Sequence, residues 1–428
     1  MDTNIIHTGD CFDVLTELPD ESVHAVVSDP PYGLAFMGRD WDDFEPKEYQ
    51  EWCERWAREC LRVLKPGGHM LAFSGNRTHH RLFTGVEDAG FEIRDTLTWH
   101  YGSGFPKASD ISKTIDKRAD AEREVVGEYV APDGKGRHGG RLEGDYESED
   151  YGEYKGNAIE QTAPATDAAK KWDGWKTGLK PSTEFVVMAR KPYDGATVDS
   201  VLEHGTGALN IGACRIESGE RPNRVSMAEH SDGDTHQMGT LGTSEANGVT
   251  TEGRYPSNLM FDEVAAEQLD AEVGETTSGN GYEPWSGEGV KGNALEGSAD
   301  GTLNDQNSGG YDDHGGPSRY FYTSKATKAE RTLDGKIDNA HPTVKPGDLM
   351  QWLVKLVTAE NQIVLDPFCG SGTTLRAAKD LNRRFIGIER QEKWADVARV
   401  RAGLTPEDPS IVRDDAGQSG LEAYEVSQ

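Results

Sequence analysis

The chain has 428 residues, enough for one α/β domain with a large insertion or for two domains, so length does not limit its core. Apolar residues make up only 35% and there are 50 glycines, which points to long irregular segments, and no apolar run approaches membrane-spanning length. A net charge of −30, with a pI near 4.8, argues at first sight against a nucleic-acid partner, because phosphate contacts draw on lysine and arginine.

Met1-Asp2-Thr3-Asn4 offers neither a basic start nor an apolar core, so no targeting segment and a cytoplasmic location are expected. Ile5-Ile6-His7 reads as a strand, Val14, Leu15 and Leu18 recur at helical spacing, and Ala25-Val26-Val27 is a second strand. That is the grammar of a βαβ unit. Trp52, Trp56, Cys60 and Leu64 repeat every four residues as one helix face, closed by Lys65-Pro66-Gly67-Gly68. A strand at 69–73, a helix from Leu82 to Asp88 and an alternating strand at 91–99 complete the first half of a wound sheet.

Between about 102 and 325 the periodicity fails except in runs such as Glu184-Phe185-Val186-Val187-Met188. The stretches 129–165 and 219–317, rich in Gly, Asp, Ser and Asn, read as long loops or partly disordered segments. Order returns at residue 343, where Pro346 precedes a helix carrying Leu349, Trp352, Leu353, Leu356 and Val357 on one face. A strand at 363–365, a helix from Thr373 to Leu381 and a strand at 385–388 follow. The cysteines Cys11, Cys53, Cys60, Cys214 and Cys369 show no C-x-x-C spacing, which argues against a disulfide framework and against a metal site.

Two loops stand out. Asp29-Pro30-Pro31-Tyr32 ends a buried strand, and its prolines fix their own φ, restrict the residues before them and remove two N–H donors. What remains are acceptors, the Asp29 carboxylate and the Pro30 carbonyl, which suit a substrate NH₂ group. Gripping both hydrogens of an exocyclic amine on a nucleobase would favour a pyramidal nitrogen and free its lone pair for attack. Tyr32 offers a ring face for a base taken out of a duplex. The same four residues would also serve as a rigid turn after a strand.

The second loop, Asp366-Pro367-Phe368-Cys369-Gly370-Ser371-Gly372-Thr373-Thr374, lies between a strand and a helix, where glycine lets a ligand approach the backbone. Glu389 ends the next strand 19 residues after Gly370, at a place from which a carboxylate can accept from ribose hydroxyls. The third glycine of a dinucleotide fingerprint and the Gly-Lys-Ser/Thr of a triphosphate loop are missing, which disfavours NAD and ATP. A tight βα turn beside a surface acid would give the same pattern.

The acidity is uneven. Residues 219–317 hold 19 acids and 4 bases, whereas 168–191 hold 2 and 6, and 318–345 hold 3 and 6. The bases therefore cluster on what would be a DNA face. The excess reads as adaptation to molar salt in a halophilic source, with a disordered acidic insertion in an ordinary protein as the alternative; acids dense elsewhere, as in 40–54, favour the first.

With both loops in place the sequence resembles the amino-methylating DNA methyltransferases, in which Asp-Pro-Pro-Tyr is the catalytic loop and the glycine loop binds S-adenosylmethionine. His341-Pro342-Thr343-Val344-Lys345-Pro346 resembles the additional cofactor motif that precedes the glycine loop in the permuted subgroup called β. Gly9-Asp10, Gly102-Ser103-Gly104-Phe105-Pro106-Lys107, Gly253-Arg254-Tyr255-Pro256-Ser257-Asn258 and Arg319-Tyr320-Phe321-Tyr322 agree, with viral or prophage methylases the nearest in type. The resemblance implies a Rossmann-like α/β methyltransferase sheet assembled from both chain ends, with a long irregular insertion. A catalytic half would occupy 1–101, an insertion with target recognition 102–325, a cofactor half 326–402 and a tail 403–428.

By the same resemblance, Asp29 and the Pro30 carbonyl grip the amine, Pro31 stiffens the loop and Tyr32 stacks on a flipped base of duplex DNA. Asp10 and Glu389 would hold the adenosine, while Thr343, Lys345, Asp366, Pro367, Phe368, Gly370, Gly372 and Thr373 line the rest of the S-adenosylmethionine site. No metal is required, and a homodimer is compatible. Methylation at cytosine carbon 5 is disfavoured, since no Pro-Cys pair occurs. The resemblance implies adenine N6 as the target, since the family associates a leading Asp with adenine more often and Ser with cytosine, and cytosine N4 is the alternative. RNA or protein amines as substrates, and a non-catalytic DNA-binding module with a broken cofactor loop, compete with this reading.

Overall fold

The computed structural model describes residues 1–34, 42, 44–104, 108–130, 158–226, 244–277, 314–324, 330, 332, 333, 335–337, 339, 341 and 344–412. The described chain divides into two units, one of Met1–Ser103 with Ser182–Gln428 and one of Gly104–Pro181.

The first unit is built on a nine-stranded sheet. In chain order it opens with β1 (Ile5–Thr8), α1 (Cys11–Glu17), β2 (Val23–Ser28), α2 (Pro46–Val63), β3 (Leu64–Ser74), α3 (His79–Asp88) and β4 (Glu92–His100). The second unit then supplies α4 (Ile111–Arg118), β5 (Val125–Val130), β6 (Ala158–Thr162) and α5 (Asp167–Lys171). The sheet resumes with β7 (Thr183–Arg190), followed by α6 (Thr197–His204), the paired β8 (Arg221–Ser226) and β9 (Ser244–Thr250), then β10 (Leu259–Asp262) and α7 (Glu263–Val273). A short pair, β11 (Thr276–Thr277) and β12 (His314–Gly315), precedes β13 (Tyr322–Ser324). The chain closes with α8 (Gly347–Val357), β14 (Ile363–Asp366), α9 (Thr373–Asp380), β15 (Arg384–Glu389) and α10 (Glu392–Arg401).

The sheet order is β1-β15-β14-β2-β3-β7-β4-β10-β13, and β7 alone among these strands runs antiparallel to its neighbours. Alternation along the strands divides the core in two. Ala25, Val27, Leu71, Phe73 and Val364 face α8, α9 and α10, while Val26, Met70, Ala72 and Leu365 face α1, α2 and α3. Helices thus cover both faces of a mostly parallel sheet, the arrangement that lets its central strands be apolar throughout. Trp56, fully buried in α2, is the largest side chain of the second layer.

Three strands of this sheet, β7, β10 and β13, come from residues 102–325, so the middle of the chain contributes to the sheet along with its two ends. The expectation of loops throughout 219–317 does not hold at α7, which Asp262 caps by accepting from the Ala265 N–H at 2.7 Å. Its signal is faint because Ala266 is the one side chain it buries. All five cysteines are buried and free. No helix among the described residues is long and apolar enough to cross a membrane.

In the second unit Asp116 is the organising residue. Its carboxylate accepts from the Ala165 and Thr166 N–H groups at 3.0 Å, from the Thr166 hydroxyl at 2.7 Å and from Arg123 at 2.5 Å. Burial pushes that carboxyl up, but these hydrogen bonds outweigh it and hold Asp116 well below the usual carboxylate range.

Candidate active site

Strands β14 and β2 are parallel neighbours, with Val364 opposite Ala25 and Leu365 opposite Val26. From β2 the chain crosses through α2 to β3 on one side; from β14 it crosses through α9 to β15 on the other. The two loops therefore part company at the carboxyl ends of adjacent strands, the place where an open α/β sheet makes a crevice. A buried hydrogen bond joins them, Ser28 Oγ donating to Asp366 Oδ1 at 2.6 Å.

The first loop is anchored on both sides. Asp42, itself buried, accepts from the Gly33 and Leu34 N–H groups at 2.6 and 3.1 Å, and the Tyr49 hydroxyl donates to the Pro31 carbonyl at 2.9 Å. Gly33 has φ +65°, and a Cβ there would lie 2.6 Å from the Tyr49 ring, so both conformation and space require glycine. Pro30 is buried.

Asp29 emerges from this frame into a cluster of charges. Lys345 Nζ donates to its Oδ2 at 2.6 Å, and the Tyr32 hydroxyl donates to its Oδ1 at 2.8 Å. Glu184, at the start of β7, places Oε2 3.2 Å from the Tyr32 hydroxyl and 3.3 Å from Lys345 Nζ. Burial alone would lower the Lys345 ammonium, but Asp29 and Glu184 raise it above the ordinary lysine value. Burial pushes the Tyr32 hydroxyl far up, with the two carboxylates adding to the effect, so it stays a neutral donor. Lys345 Nζ also lies 4.9 Å from the centre of the Phe73 ring.

The second loop is equally tied down. Asp366 Oδ1 accepts from the Phe368 N–H at 3.1 Å, and burial pushes this carboxyl up to about 6 despite the hydrogen bonds it receives. The Phe368 ring packs against Trp52 and Trp56, with centroids 5.3 and 5.4 Å away. Pro367 is buried. Glu389 accepts from the Gly370 N–H at 3.1 Å and the Gln391 N–H at 2.8 Å. Burial raises its carboxyl above the usual range. Arg401, 1% exposed, donates to the Ser371 carbonyl at 2.8 Å and to the Thr373 hydroxyl at 2.9 Å.

Gly370 and Gly372 both have positive φ, +51° and +79°. Their missing side chains face different neighbours. A Cβ on Gly370 would stand 3.1 Å from the His341 ring, whereas one on Gly372 would stand 2.7 Å from Ala398 Cβ of α10. Asp10 is exposed and caps α1, accepting from the Phe12 N–H at 2.9 Å. Thr8, two residues before it, pairs with Glu389 across β1 and β15, so Asp10 lies just past the end of the strand beside that of Glu389. Thr343 lies outside the described residues.

The profile of the family described as DNA methylase matches residues 23–400. The chain belongs to the DNA methylase family. The type II methyltransferase M.HindIII of Haemophilus influenzae is 24% identical over 442 residues, spanning 93% of this chain and 95% of that protein. M.HinfI of the same species is 45% identical over 78 residues, 18% of this chain and 22% of its own. Among solved structures, the PvuII DNA methyltransferase (cytosine-N4-specific) aligns over 94% of this chain and 86% of its own at 14% identity and a TM-score of 0.44. The complex of M1.HpyAVI with S-adenosylmethionine aligns over 93% and 98% at 16% identity and 0.38.

This DNA methylase is an S-adenosylmethionine-dependent enzyme acting on DNA, and its cofactor loop fits that group. The backbone at Gly370 presents no side chain, and the Glu389 carboxylate stands beside it at the end of β15. Glu184, Ser28 and Arg401 escaped the reading of the sequence. An acid opening an apolar strand, a serine ending one and an arginine in the last turn of a helix are each ordinary in one dimension.

Several described bases of the DNA methylase's first unit are engaged inside the fold. Arg190 pairs with Glu92 at 2.6 Å, and Lys191 donates to the Leu64 carbonyl at 2.7 Å, at the end of the sheet opposite Asp29. Lys345 is buried beside Asp29, and Arg319 donates to Thr276 and to the Tyr320 hydroxyl within its own neighbourhood. The bases at 170, 171, 176 and 180 belong to the second unit.

Proposed function

We propose that this DNA methyltransferase modifies the N6 amine of adenine in duplex DNA, with the target base turned out of the helix to reach the Asp29–Tyr32 loop. The observation that carries the reading is the placement of Asp29. It stands at the carboxyl end of β2, hydrogen-bonded through Ser28 and Asp366 to the neighbouring glycine loop, and its two oxygens are oriented by Lys345 and Tyr32. S-adenosylmethionine supplies an electrophilic methyl group on its sulfonium. The Asp29 carboxylate and the Pro30 carbonyl accept the hydrogens of the amine and turn its lone pair outward. Positioning within the crevice supplies much of the rate. The methylated nitrogen carries one proton too many, and the Asp29 carboxylate is the base within reach.

Asp10 and Glu389 hold the adenosine in this reading, and the backbone of 366–373 lines the remainder. Exposed Trp172, Trp175 and Leu179 in the second unit, with Lys171 5.8 Å from the Trp172 ring centre, offer stacking surface and positive charge for target recognition. The order of the two loops supports the permuted β subgroup, the auxiliary motifs a viral or prophage relative, and the acidity a halophilic source. The relatives' type II names support a cytoplasmic restriction–modification setting.

Unmethylated duplex treated with enzyme and methyl-labelled S-adenosylmethionine, digested to nucleosides and separated by mass, tests the assignment. Labelled N6-methyldeoxyadenosine is expected. Label in N4-methyldeoxycytidine would overturn the choice of base.

A further inference from the structure

Two carboxylates, Asp29 and Glu184, share one ammonium, Lys345. With both carboxylates ionised the cluster carries one net negative charge in a largely dehydrated setting, where Glu184 is 19% and Lys345 9% exposed. The Tyr32 hydroxyl has a single proton, and its shorter contact, 2.8 Å to Asp29 against 3.2 Å to Glu184, takes it. Glu184 thus has Lys345 as its main partner. The position is set by the fold: β7 inserts between β3 and β4 with Glu184 opposite Trp99, which brings its side chain to the carboxyl ends of the parallel strands.

We propose that Glu184 is a positioning residue for methyl transfer, sharing Lys345 with Asp29 so that the lysine orients the Asp29 carboxylate without neutralising it. As the amine attacks, its nitrogen gains positive charge, and a site with one negative charge in excess favours that change. Without Glu184 the ammonium is spent on Asp29 alone, and the acceptor weakens. Burial raises the Glu184 carboxyl, Lys345 lowers it and Asp29 raises it, with the net result above the ordinary range. Tyr101, whose hydroxyl burial and Glu184 both push up, and His100, bonded to the adjacent Thr183 at 3.0 Å, also face this end of β7. Activity should fall with pH as Glu184 takes up its proton, since the protonated form no longer balances Lys345.

The inference rests on Asp29 as the acceptor of the target amine, and the same assays on Asp29→Ala separate the two claims. A dead Asp29→Ala enzyme alongside a fully active Glu184→Gln enzyme refutes only the role of Glu184. Glu184→Gln should lower kcat by about tenfold or more with the Kd for S-adenosylmethionine unchanged, and should move the acid limb of the kcat profile to lower pH. Glu184→Asp, which keeps the charge but retracts it, should fall between the two and retain an acid limb. Parental kcat and an unmoved limb in Glu184→Gln would overturn the proposal, as would a loss of kcat explained by loss of cofactor. If circular dichroism shows Glu184→Gln unfolded, Glu184→Asp decides: a displaced limb supports the role and an unmoved one rejects it.

Discussion

Lys345 donates to the Asp29 carboxylate at 2.6 Å across a sequence separation of 316 residues. The ammonium comes from the motif expected to serve the cofactor, yet it is seated on the loop expected to hold the substrate. The two functional segments thereby share a charged group, and each can be tested by removing its own side of the pair.

Asp29→Ala should abolish methyl transfer, by on the order of 10³-fold or more, because it deletes the acceptor of the amine. Binding of S-adenosylmethionine should stay within a few-fold of the parent. Lys345 would still have Glu184 at 3.3 Å, so no lone buried charge is left to unfold the site. Calorimetric titration of cofactor and single-turnover transfer of labelled methyl distinguish these effects. Near-normal transfer by the variant would defeat the assignment.

Gly372→Val should destabilise the protein as a whole. The added Cβ would lie 2.7 Å from Ala398 Cβ and 2.8 Å from its Cα, and the backbone at φ +79° resists a β-branched residue. This position serves the packing of α9 against α10, so a loss of several kcal/mol is expected before cofactor is considered. Thermal unfolding without cofactor should show a large fall in Tm; an unchanged Tm with weakened cofactor binding would place the role of Gly372 at the ligand.

Much of the first unit was legible because its strands and helices are short apolar patterns next to turn residues. The βαβ run from Ile5, the helix carrying Trp52 and Trp56, and the strands leading to Asp29 and Asp366 all lie where their periodicity puts them. Strand order was not legible. Nothing in Glu184-Phe185-Val186-Val187 tells that β7 runs antiparallel between β3 and β4, and that insertion is what carries Glu184 to Asp29. Arg190 and Lys191 show the same effect: they follow Glu184 closely in sequence, but a strand carries them to the far end of the sheet.

The buried Asp366 carboxyl gives stability a distinct dependence on pH. Its ordinary value is 3.8 and burial raises it to about 6, so the folded state holds this proton more tightly than the unfolded chain does. The contribution is fully present below about pH 4 and is lost as pH rises through 6, on the order of 2–3 kcal/mol in all. Asp366→Asn removes the titration. The difference in Tm between parent and variant should change between pH 4 and 7 and be flat above; a difference independent of pH would show that Asp366 is not so perturbed.

Trp175, 60% exposed, contributes little to folding, and Trp175→Ala should leave Tm and cofactor affinity unaltered. If its ring stacks on DNA, duplex affinity should fall by about 1–3 kcal/mol. Anisotropy of a labelled duplex measures this directly, and an unchanged Kd would remove the residue from the DNA surface.

Salt should act on this enzyme in two opposed ways. With 75 acids against 45 lysines and arginines, at least 30 acids have no basic counterpart, and their repulsion opposes the compact state in dilute buffer. Several bases are already committed within the fold: Arg62 lies 2.6 Å from Asp20 and 2.9 Å from Glu59, and Arg399 lies 2.8 Å from Glu392, 2.7 Å from Asp396 and 3.0 Å from Glu407. Added salt shortens the reach of the repulsion to about 3 Å at molar concentration and so favours folding. The same salt weakens every phosphate contact, because binding gains less from the release of counterions. For a halophilic enzyme the first effect dominates at the outset, and activity on duplex DNA should rise from dilute buffer towards molar potassium chloride before it falls. Methyl transfer and circular dichroism on the same samples separate the two terms. A fully folded enzyme at low salt, most active there and declining steadily with added salt, would rule the halophilic reading out.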